Sequence, residues 1–395
     1  GENLLQNASI DSLEQEIFNV ANQFNKAKSL LTDVDAIDQL KSLNFQAAQK
    51  AKHATAYDSA LNYLHEVLDY IDEEAWTTQY ELTYQLYKEL IEVEYLNGNF
   101  EQSDKYAQIT LEKATSMLKK ADVFNTLIIQ STLQAKYPEA IGFGKNALEL
   151  LNFNIPKDED LEAGIGAGFG AVAQHLAGRP ILSVVDAPDA QDPTDVLITQ
   201  ILGNMAPPAY FINPNLWTFI KVQATALGLE KGNTPDLCTT YSSYGILCGI
   251  VFSDFVSGYQ YGELAYQLSE KYNNLKRKWN ACFVRETFLT LPVKPAKDAI
   301  PIFKEGLQVG LQSGELQFAS YNSMNIPTAS FFQGDSLPTI LEYSEENLYI
   351  ALKYQNAFAM DIILPSYVLA NDLSDNQTQP PGGLPHSFET IIEQT

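Results

Sequence analysis

Arginine is scarce in this 395-residue sequence, and acidic residues outnumber basic ones. Arg179, Arg277 and Arg285 are its only arginines, and 25 lysines and arginines face 49 aspartates and glutamates, for a formal net charge of −24. Proteins that bind nucleic acid neutralise its phosphates with clustered basic residues. The composition therefore argues against nucleic acid as a partner, and it favours partners with basic surfaces, which a negative field attracts.

Long apolar runs and cysteine pairs are also missing. No run of about 18 apolar residues occurs, and no charged start is followed by an apolar stretch, so we expect no membrane span, no secretory signal and a cytoplasmic location. Cys238, Cys248 and Cys282 form no CxxC pair, which predicts buried, reduced thiols. The chain begins at Gly1 rather than Met, so we expect it to be part of a longer protein.

The sequence also lacks the common catalytic and metal-binding motifs. It contains no GxSxG elbow and no Walker GxxxxGK[ST] loop. Zinc sites need converging ligands at close spacing, whereas the four histidines are scattered, at His53, His65, His175 and His386. A cysteine and a histidine that meet only in space remain an alternative. We expect no catalytic residues, no metal and no cofactor in this chain.

Two short segments imitate ligand-binding loops. The run 166–171 (Gly-Ala-Gly-Phe-Gly-Ala) fits a loose dinucleotide pattern with Asp186 beyond it, but the charged residues 157–162 before it indicate a helix start instead of a strand. We predict close helix packing there. Residues 33–38 carry three aspartates, yet Asp38 and Asn44 occupy the positions where a calcium loop needs Gly and Glu. A solvated acidic turn is the better interpretation.

Residues 4–153 have a helical pattern throughout. Leu61, Leu64, Leu68 and Ile71 recur at steps of three and four, and breaks fall at residues 97–99 and near Pro138. After each break an aromatic residue is followed three positions later by a small one, in the pairs Tyr57/Ala60, Phe100/Ser103 and Tyr137/Ala140. Because a small residue lets paired helices approach closely, this pattern predicts helical hairpins.

The hairpin pattern repeats at intervals close to 40 residues. Residues 94–103, followed by Ala107, match the core of a tetratricopeptide repeat, and similar segments occur at 252–265, 296–299 and 332–341. One helical hairpin cannot bury its apolar face alone, so neighbouring repeats must stack. We therefore predict an all-α fold, a tetratricopeptide-like α-solenoid of helical hairpins.

The middle of the chain differs in composition, since it holds many glycines and prolines and few charges. We predict helices there near 161–177, 193–204, 213–228 and 234–251, with a loop near 179–192. The predicted organisation has four parts: N-terminal repeats (1–153), a Gly/Pro-rich central helical segment (154–233), C-terminal repeats (234–373) and a mobile tail (374–395).

Tyrosine and tryptophan supply the candidate ligand-contacting residues. Tyr80, Tyr84 and Tyr87 share one helical face, and Tyr241 and Tyr244 share another near Trp217. A tyrosine has an apolar ring and a polar tip, which suits a groove for a peptide or small ligand. Packing between helices is the alternative, and we favour it for each tyrosine taken singly.

A family resemblance runs through most of the chain. It is carried by the runs Gly178-Arg179-Pro180-Ile181, Asp192-Pro193-Thr194, Ile201-Leu202, Ala209-Tyr210, Asn213-Pro214, Gly232-Asn233-Thr234, Tyr244-Gly245, Asp254-Phe255, Gly258-Tyr259, Leu264-Ala265, Glu305-Gly306 and Gly314-Glu315-Leu316. With these runs the chain resembles the helical region of large bacterial signalling proteins. Their single polypeptide joins a Ser/Thr-kinase-like domain, a P-loop signalling ATPase, tetratricopeptide-like repeats, a GAF sensor and often a histidine kinase.

The resemblance implies a non-catalytic regulatory module that couples an ATPase switch to kinase output. Such a module contacts a partner protein or another domain of its own polypeptide through a groove of the solenoid. The alternative is a sensor in which the central segment binds a peptide or small molecule. An enzyme is the least favoured class, since no titratable constellation is apparent in the sequence.

Overall fold

The regular structure is entirely helical in the part of the chain that is described. A computed structural model describes residues 10–374 and 380–381, and within them the elements are α-helices, short 3-10 helices and one π-helical turn. The only β-type pairing there is an isolated bridge between Asp189 and Asn233. The chain divides into two compact units, Gly1–Asn154 and Ile155–Thr395. The all-α prediction is confirmed.

The first unit is a stack of antiparallel helices. Its described α-helices are α1 (Ile10–Lys26), α2 (Val34–His53), α3 (Tyr57–Leu68), α4 (Ala75–Thr78), α5 (Tyr80–Leu96), α6 (Phe100–Lys113), α7 (Met117–Leu133) and α8 (Tyr137–Leu150). Helices α2 and α3, α5 and α6, and α7 and α8 pack as hairpins. Leu64, Leu86, Leu90 and Ile91 are fully buried between them, so each hairpin covers the apolar face of its neighbour.

The second unit continues the same architecture with a larger core. Its described α-helices are α9 (Leu161–Leu176), α10 (Pro193–Ile212), α11 (Pro214–Lys231), α12 (Leu237–Phe252), α13 (Phe255–Lys271), α14 (Leu275–Val284), α15 (Ala299–Gln312), α16 (Leu316–Ser323), α17 (Asn325–Gln333), α18 (Leu337–Lys353) and α19 (Ala357–Leu373). A π-helical turn, Arg285–Thr290, follows α14 directly. Successive antiparallel helices pack against each other, which makes the unit tetratricopeptide-like.

One type of turn joins many of these helices. A residue with positive φ stands two positions before the first residue of seven of the described helices: Thr55, Gly98, Ala135, Ser253, Asn273, Gly314 and Gln355. The next amide then donates to a carbonyl five or six residues back, as from Asn99 to Glu94 at 2.9 Å. This arrangement satisfies the carbonyls at the helix end. It confirms the predicted breaks at residues 97–99 and before Pro138.

Side-chain contacts show the repeat length directly. The Tyr95 hydroxyl donates to the Gln130 carbonyl 35 residues later at 3.0 Å, and the Tyr266 hydroxyl donates to Glu305 39 residues later at 2.9 Å. Lys52 bonds Glu89 37 residues later at 2.6 Å. Equivalent helices of neighbouring repeats therefore lie side by side, at the interval of about 40 residues that the sequence predicts.

The predicted helices of the central segment are present, with one extension. Helices α9, α11 and α12 match three of the predicted ranges to within a few residues, while α10 extends eight residues beyond the predicted end at 204. It passes through Pro207 and Pro208, although proline lacks the amide hydrogen of a helical bond. Met205 and Ala209 are fully buried, so packing on both sides of the prolines holds the helix together.

Two further predictions concern the core and the end of the chain. Cys238, Cys248 and Cys282 are buried free thiols, as predicted, and burial raises the pKa of each to about 12.

One core cluster contains buried residues from Val172 to Ala281, so it includes residues on both sides of the boundary that the sequence suggested at position 233. Of the predicted tail, only Ser374, Pro380 and Pro381 are described, and Pro380 is buried; the rest of that prediction lies outside the described residues.

Candidate binding sites

Two of the three candidate tyrosines of the first unit, Tyr80 and Tyr84, line a seam between α5 and α7. Tyr84 is buried, and its hydroxyl lies 2.9 Å from the Lys119 carbonyl and 3.1 Å from the Asp122 carboxylate. Burial and the nearby carboxylate raise the pKa of Tyr84 far above its usual value. Tyr80 stacks on Tyr84 with ring centroids 6.1 Å apart. These two rings pack between repeats, which is the alternative that the sequence favoured.

Tyr87 lies on the same helix but faces a different cluster. Its ring meets Tyr106 edge-on at 5.4 Å and Trp76 at 4.9 Å. The ring is half-buried, and burial raises the pKa of its hydroxyl. Tyr87 therefore belongs to the aromatic packing around α4, α5 and α6.

The candidate aromatics of the second unit are mostly core residues. Tyr241 is fully buried and stacks on Tyr261 at 6.2 Å, and Tyr244 is 5% exposed and meets Tyr261 edge-on at 4.8 Å. Trp217 is half-buried, with its ring 5.9 Å from that of Tyr210 near the α10–α11 turn. Of these three residues, Trp217 is the one that reaches partly accessible surface.

A groove in the first unit contains none of the predicted site residues. It lies between α6, α7 and α8 and encloses about 600 Å³. Ala107 and Leu127 form its apolar floor, and Phe100 and Phe143 stand at its sides. Polar and charged side chains complete the lining: Asp104, Gln108, Glu112, Lys120, Gln130, Ser131, Gln134, Lys136 and Glu139. This volume is typical of sites for small ligands or short peptide segments.

Sequence reasoning missed this groove because its residues come from three helices. Phe100 was recognised only as the aromatic residue that follows a hairpin turn. Its 48% exposure distinguishes it from a core residue. Exposure of a large apolar side chain depends on the neighbouring helices, so no local pattern could have identified it.

The second unit exposes large apolar residues at the turn between α12 and α13. We call this set the α12–α13 apolar edge: Ile250, Val251, Phe252, Phe255 and Val256, which are 45–75% exposed. The Phe252 ring contacts Phe169 of α9 edge-on at 4.8 Å. Contiguous exposed apolar surface is typical of sites for protein partners.

A buried ionic network lies at the π-helical turn. Arg285 is 4% exposed and bonds Glu263 at 2.6 Å and Glu286 at 2.5 Å, while its guanidinium lies 4.4 Å from the Tyr266 ring centroid. Burial raises the pKa of Glu286, although Arg285 opposes that shift. The charged groups of this network are engaged with one another, so the arrangement holds α13 and the π-helical turn together.

The glycine run packs closely as predicted, whereas the acidic segment 33–38 is solvent-exposed but begins helix α2 instead of forming a turn. The glycine run 166–171 lies inside α9, where a Cβ on Gly168 would lie 2.6 Å from Val222 of α11. Asp33 caps α2, since its carboxylate accepts from the Ala36 amide at 3.3 Å. Within the described residues, no three His, Cys, Asp or Glu side chains converge as metal ligands. No helix there is long and apolar enough to cross a bilayer.

Comparison with known proteins identifies a relative among large signalling kinases. No protein-family model matches this chain. Over 401 aligned residues it is 23% identical to hybrid signal transduction histidine kinase G of Dictyostelium discoideum. The alignment covers 92% of this chain but only 12% of the kinase, so the chain corresponds to one segment of a much longer protein.

Two solved helical structures are also similar to this chain, at 11% and 10% sequence identity. The apo form of RapI superposes with a TM-score of 0.48 at 11% identity, covering 94% of this chain and 98% of that one. A signal-transduction ATPase with a tetratricopeptide repeat sensor, from Pyrococcus horikoshii, superposes with a TM-score of 0.43 at 10% identity, covering 95% of this chain and 52% of that one. The kinase match confirms the predicted resemblance to a region of large signalling proteins, and it extends that resemblance to a eukaryote.

Proposed function

We propose that this chain is a non-catalytic regulatory module that binds another domain of a longer signalling polypeptide. The observation that carries the proposal is the α12–α13 apolar edge, five large apolar side chains exposed at one hairpin turn. Burial of such side chains against a partner stabilises association through the hydrophobic effect. The similarity to a 12% segment of a histidine kinase supports a partner within the same polypeptide.

The charge of the chain indicates the chemistry of that partner. A net charge of −24 favours a partner face that has lysines and arginines around an apolar centre. Association should then be fast at low salt and slower as the salt concentration rises. In this proposal the chain transmits regulation by packing contacts and has no turnover of its own.

The test measures binding between this chain and the separately produced neighbouring domains of its polypeptide, by titration calorimetry. The edge variant Ile250→Ser/Val256→Ser should weaken binding at least tenfold. The matched control is Leu133→Ser, which changes a 66% exposed apolar residue of the first unit and should bind normally. If no neighbouring domain binds, or if both variants bind equally well, the proposal is wrong.

A second candidate function is a sensor for a peptide or small molecule. The observation that favours it is the groove of about 600 Å³ between α6, α7 and α8, with an apolar floor and a polar rim. A ligand that binds only the folded chain must raise its thermal stability. Screening short peptides by thermal shift, with the exposed lining residue changed in Gln108→Trp to fill the groove, tests this candidate; stabilisation that survives the substitution would exclude this groove.

A further inference from the structure

A second cavity of the first unit shares one residue with the groove between α6, α7 and α8. We call it the α5–α6 turn pocket, because it lies where α5 ends and α6 begins, and it encloses about 570 Å³. Two glutamates, Glu94 and Glu101, line it with Asn99, Phe100, Gln102 and Lys105. Phe100 also lines the groove. Its ring, which is 48% exposed, therefore stands between the two cavities.

Glu94 brings a buried carboxylate to this pocket. Among the described residues two glutamates are buried, Glu94 and Glu286, and each is 3% exposed. Glu286 is paired with Arg285. In the described part of the chain no lysine or arginine forms an ion pair with Glu94, whose charged neighbour is the imidazole of His65. Buried carboxylates are normally paired with a cation, so the pocket has room for one beside a group that would stabilise it.

The contacts that Glu94 makes leave acceptor positions on its carboxylate. One oxygen accepts from the side-chain amide of Asn99 at 2.7 Å. The other oxygen lies 3.5 Å from Nε2 of His65, which is longer than an ordinary hydrogen bond. The two oxygens of a carboxylate together offer about four acceptor positions. Since Glu94 lines the pocket, a hydrogen-bond donor that enters the pocket can pair with it.

The other lining residues favour a guanidinium as the donor. Glu101 adds a second carboxylate, and Lys105, the basic residue of the lining, is exposed to solvent. The accessible face of the Phe100 ring attracts a cation. A guanidinium is planar, stacks on aromatic rings and pairs with a carboxylate through two parallel hydrogen bonds. A carboxylate and an aromatic ring in one pocket therefore suit an arginine side chain.

We propose that the α5–α6 turn pocket binds an arginine side chain of a peptide whose neighbouring apolar residue lies in the groove. The guanidinium pairs with Glu94 and stacks on Phe100, while the apolar residue packs on the groove floor of Ala107 and Leu127. One ring separates the two cavities, so adjacent residues of a single peptide can occupy both. This inference rests on the second candidate function, the peptide sensor, and it names the class of peptide.

The experiment titrates the full chain by calorimetry with two peptide amides, acetyl-Ala-Leu-Leu-Arg-Ala and acetyl-Ala-Arg-Leu-Leu-Ala, which present the two side chains in opposite orders. Each peptide has a twin in which citrulline, an uncharged residue of nearly the same shape, replaces arginine. At least one arginine peptide should bind, and its citrulline twin should bind at least tenfold more weakly. Failure of both arginine peptides to bind, or equal binding of an arginine peptide and its twin, would overturn the proposal.

The variant that tests the site is Glu94→Gln, which keeps an acceptor for Asn99 and removes the charge. It should bind the arginine peptide and its citrulline twin with affinities within about threefold of each other. The matched control is Glu92→Gln, which removes the same charge from a 49% exposed glutamate of the same helix and should keep the tenfold preference for arginine. A preference that survives Glu94→Gln, or that Glu92→Gln abolishes equally, would contradict the proposal.

Failure of the peptide sensor gives a different result. The substitution Gln108→Trp fills the groove and leaves the lining of the α5–α6 turn pocket unchanged. If peptides bind, if Gln108→Trp prevents binding, and if arginine has no advantage over citrulline, the groove is a peptide site and the inference about the pocket is wrong. If arginine is preferred and Gln108→Trp has no effect, the pocket binds arginine and the groove holds no part of the peptide, which overturns the two-cavity proposal.

Discussion

Charged side chains join neighbouring helices in both units, and the second unit adds a direct contact between two helix backbones. In the first unit, charged side chains reach from one repeat to the next, as in Lys52 with Glu89 at 2.6 Å and Lys88 with Asp122. In the second unit, α12 and α13 meet at Gly245 and Gly258, where a Cβ on Gly245 would lie 2.5 Å from the Gly258 carbonyl. A flexible ion pair tolerates small shifts, whereas two backbones in contact leave no room for a side chain. Repeats of similar length can therefore have interfaces of very different tolerance.

The largest loss of stability is expected at Arg285, where a buried ionic network lies in the second unit. Arg285→Met should lower the free energy of unfolding by about 3–5 kcal/mol, because it leaves the buried Glu286 without its cation. Urea denaturation followed by the fluorescence of Trp217 and Trp279 measures this unit. The control Arg179→Met removes an exposed arginine and should change stability by less than about 0.5 kcal/mol. Equal effects would mean that the buried network contributes nothing.

The next prediction concerns the glycine contact itself. Gly245→Ala should destabilise the second unit by about 1–3 kcal/mol, since its methyl group would force α12 and α13 apart. Gly166→Ala is the matched control, because a Cβ there meets nothing within 4 Å and alanine favours the helix by about 0.5–1 kcal/mol. Circular dichroism in urea compares them. A neutral Gly245→Ala variant would show that the helices can separate without cost.

The third prediction concerns Lys221 and the dependence of stability on pH. Burial and the repulsion of Arg277 lower the pKa of Lys221 to about 7 in the folded chain, against about 10.4 in the unfolded one, so the unfolded chain binds the extra proton between these values. Stability should therefore rise with pH over this window, by up to about 1.4 kcal/mol per pH unit from this group. Lys221→Met should remove that part of the slope. The measurement is urea denaturation at pH 7, 8 and 9, and parallel slopes in both proteins would contradict it.

The smallest effect is expected for the ion pairs of the first unit. Lys88 and Asp122 are both partly exposed, so their interaction should contribute about 0.2–1 kcal/mol. A double-mutant cycle with Lys88→Gln and Asp122→Asn isolates this energy, and 1 M salt should reduce it. A coupling energy above about 2 kcal/mol would mean that these partly exposed pairs contribute as much stability as the buried network at Arg285. The contrast between exposed and buried ion pairs would then be wrong.

Local patterns predicted the helices well, but they did not show which of the candidate aromatic side chains are buried. Turns such as Asn97-Gly98-Asn99 interrupt a helix through the conformation of a few neighbouring residues, so the sequence reveals them. Tyr84, Tyr241 and Tyr244 have the same local pattern as groove tyrosines, yet they are buried. The sequence likewise did not predict the extension of α10 through Pro207 and Pro208, because burial of Met205 and Ala209 against other helices maintains it.

The sequence by itself determined the helical class, the repeat interval, the turns between helices and the acidic charge, because periodicity, turn residues and composition are properties of the chain. The tertiary structure decided which side chains are covered. It buried most of the Lys221 side chain, paired Arg285 with two glutamates and left Ile250 to Val256 largely exposed around one turn. The physical reason is that burial and pairing depend on residues about 40 positions away or more, brought together only when the repeats stack.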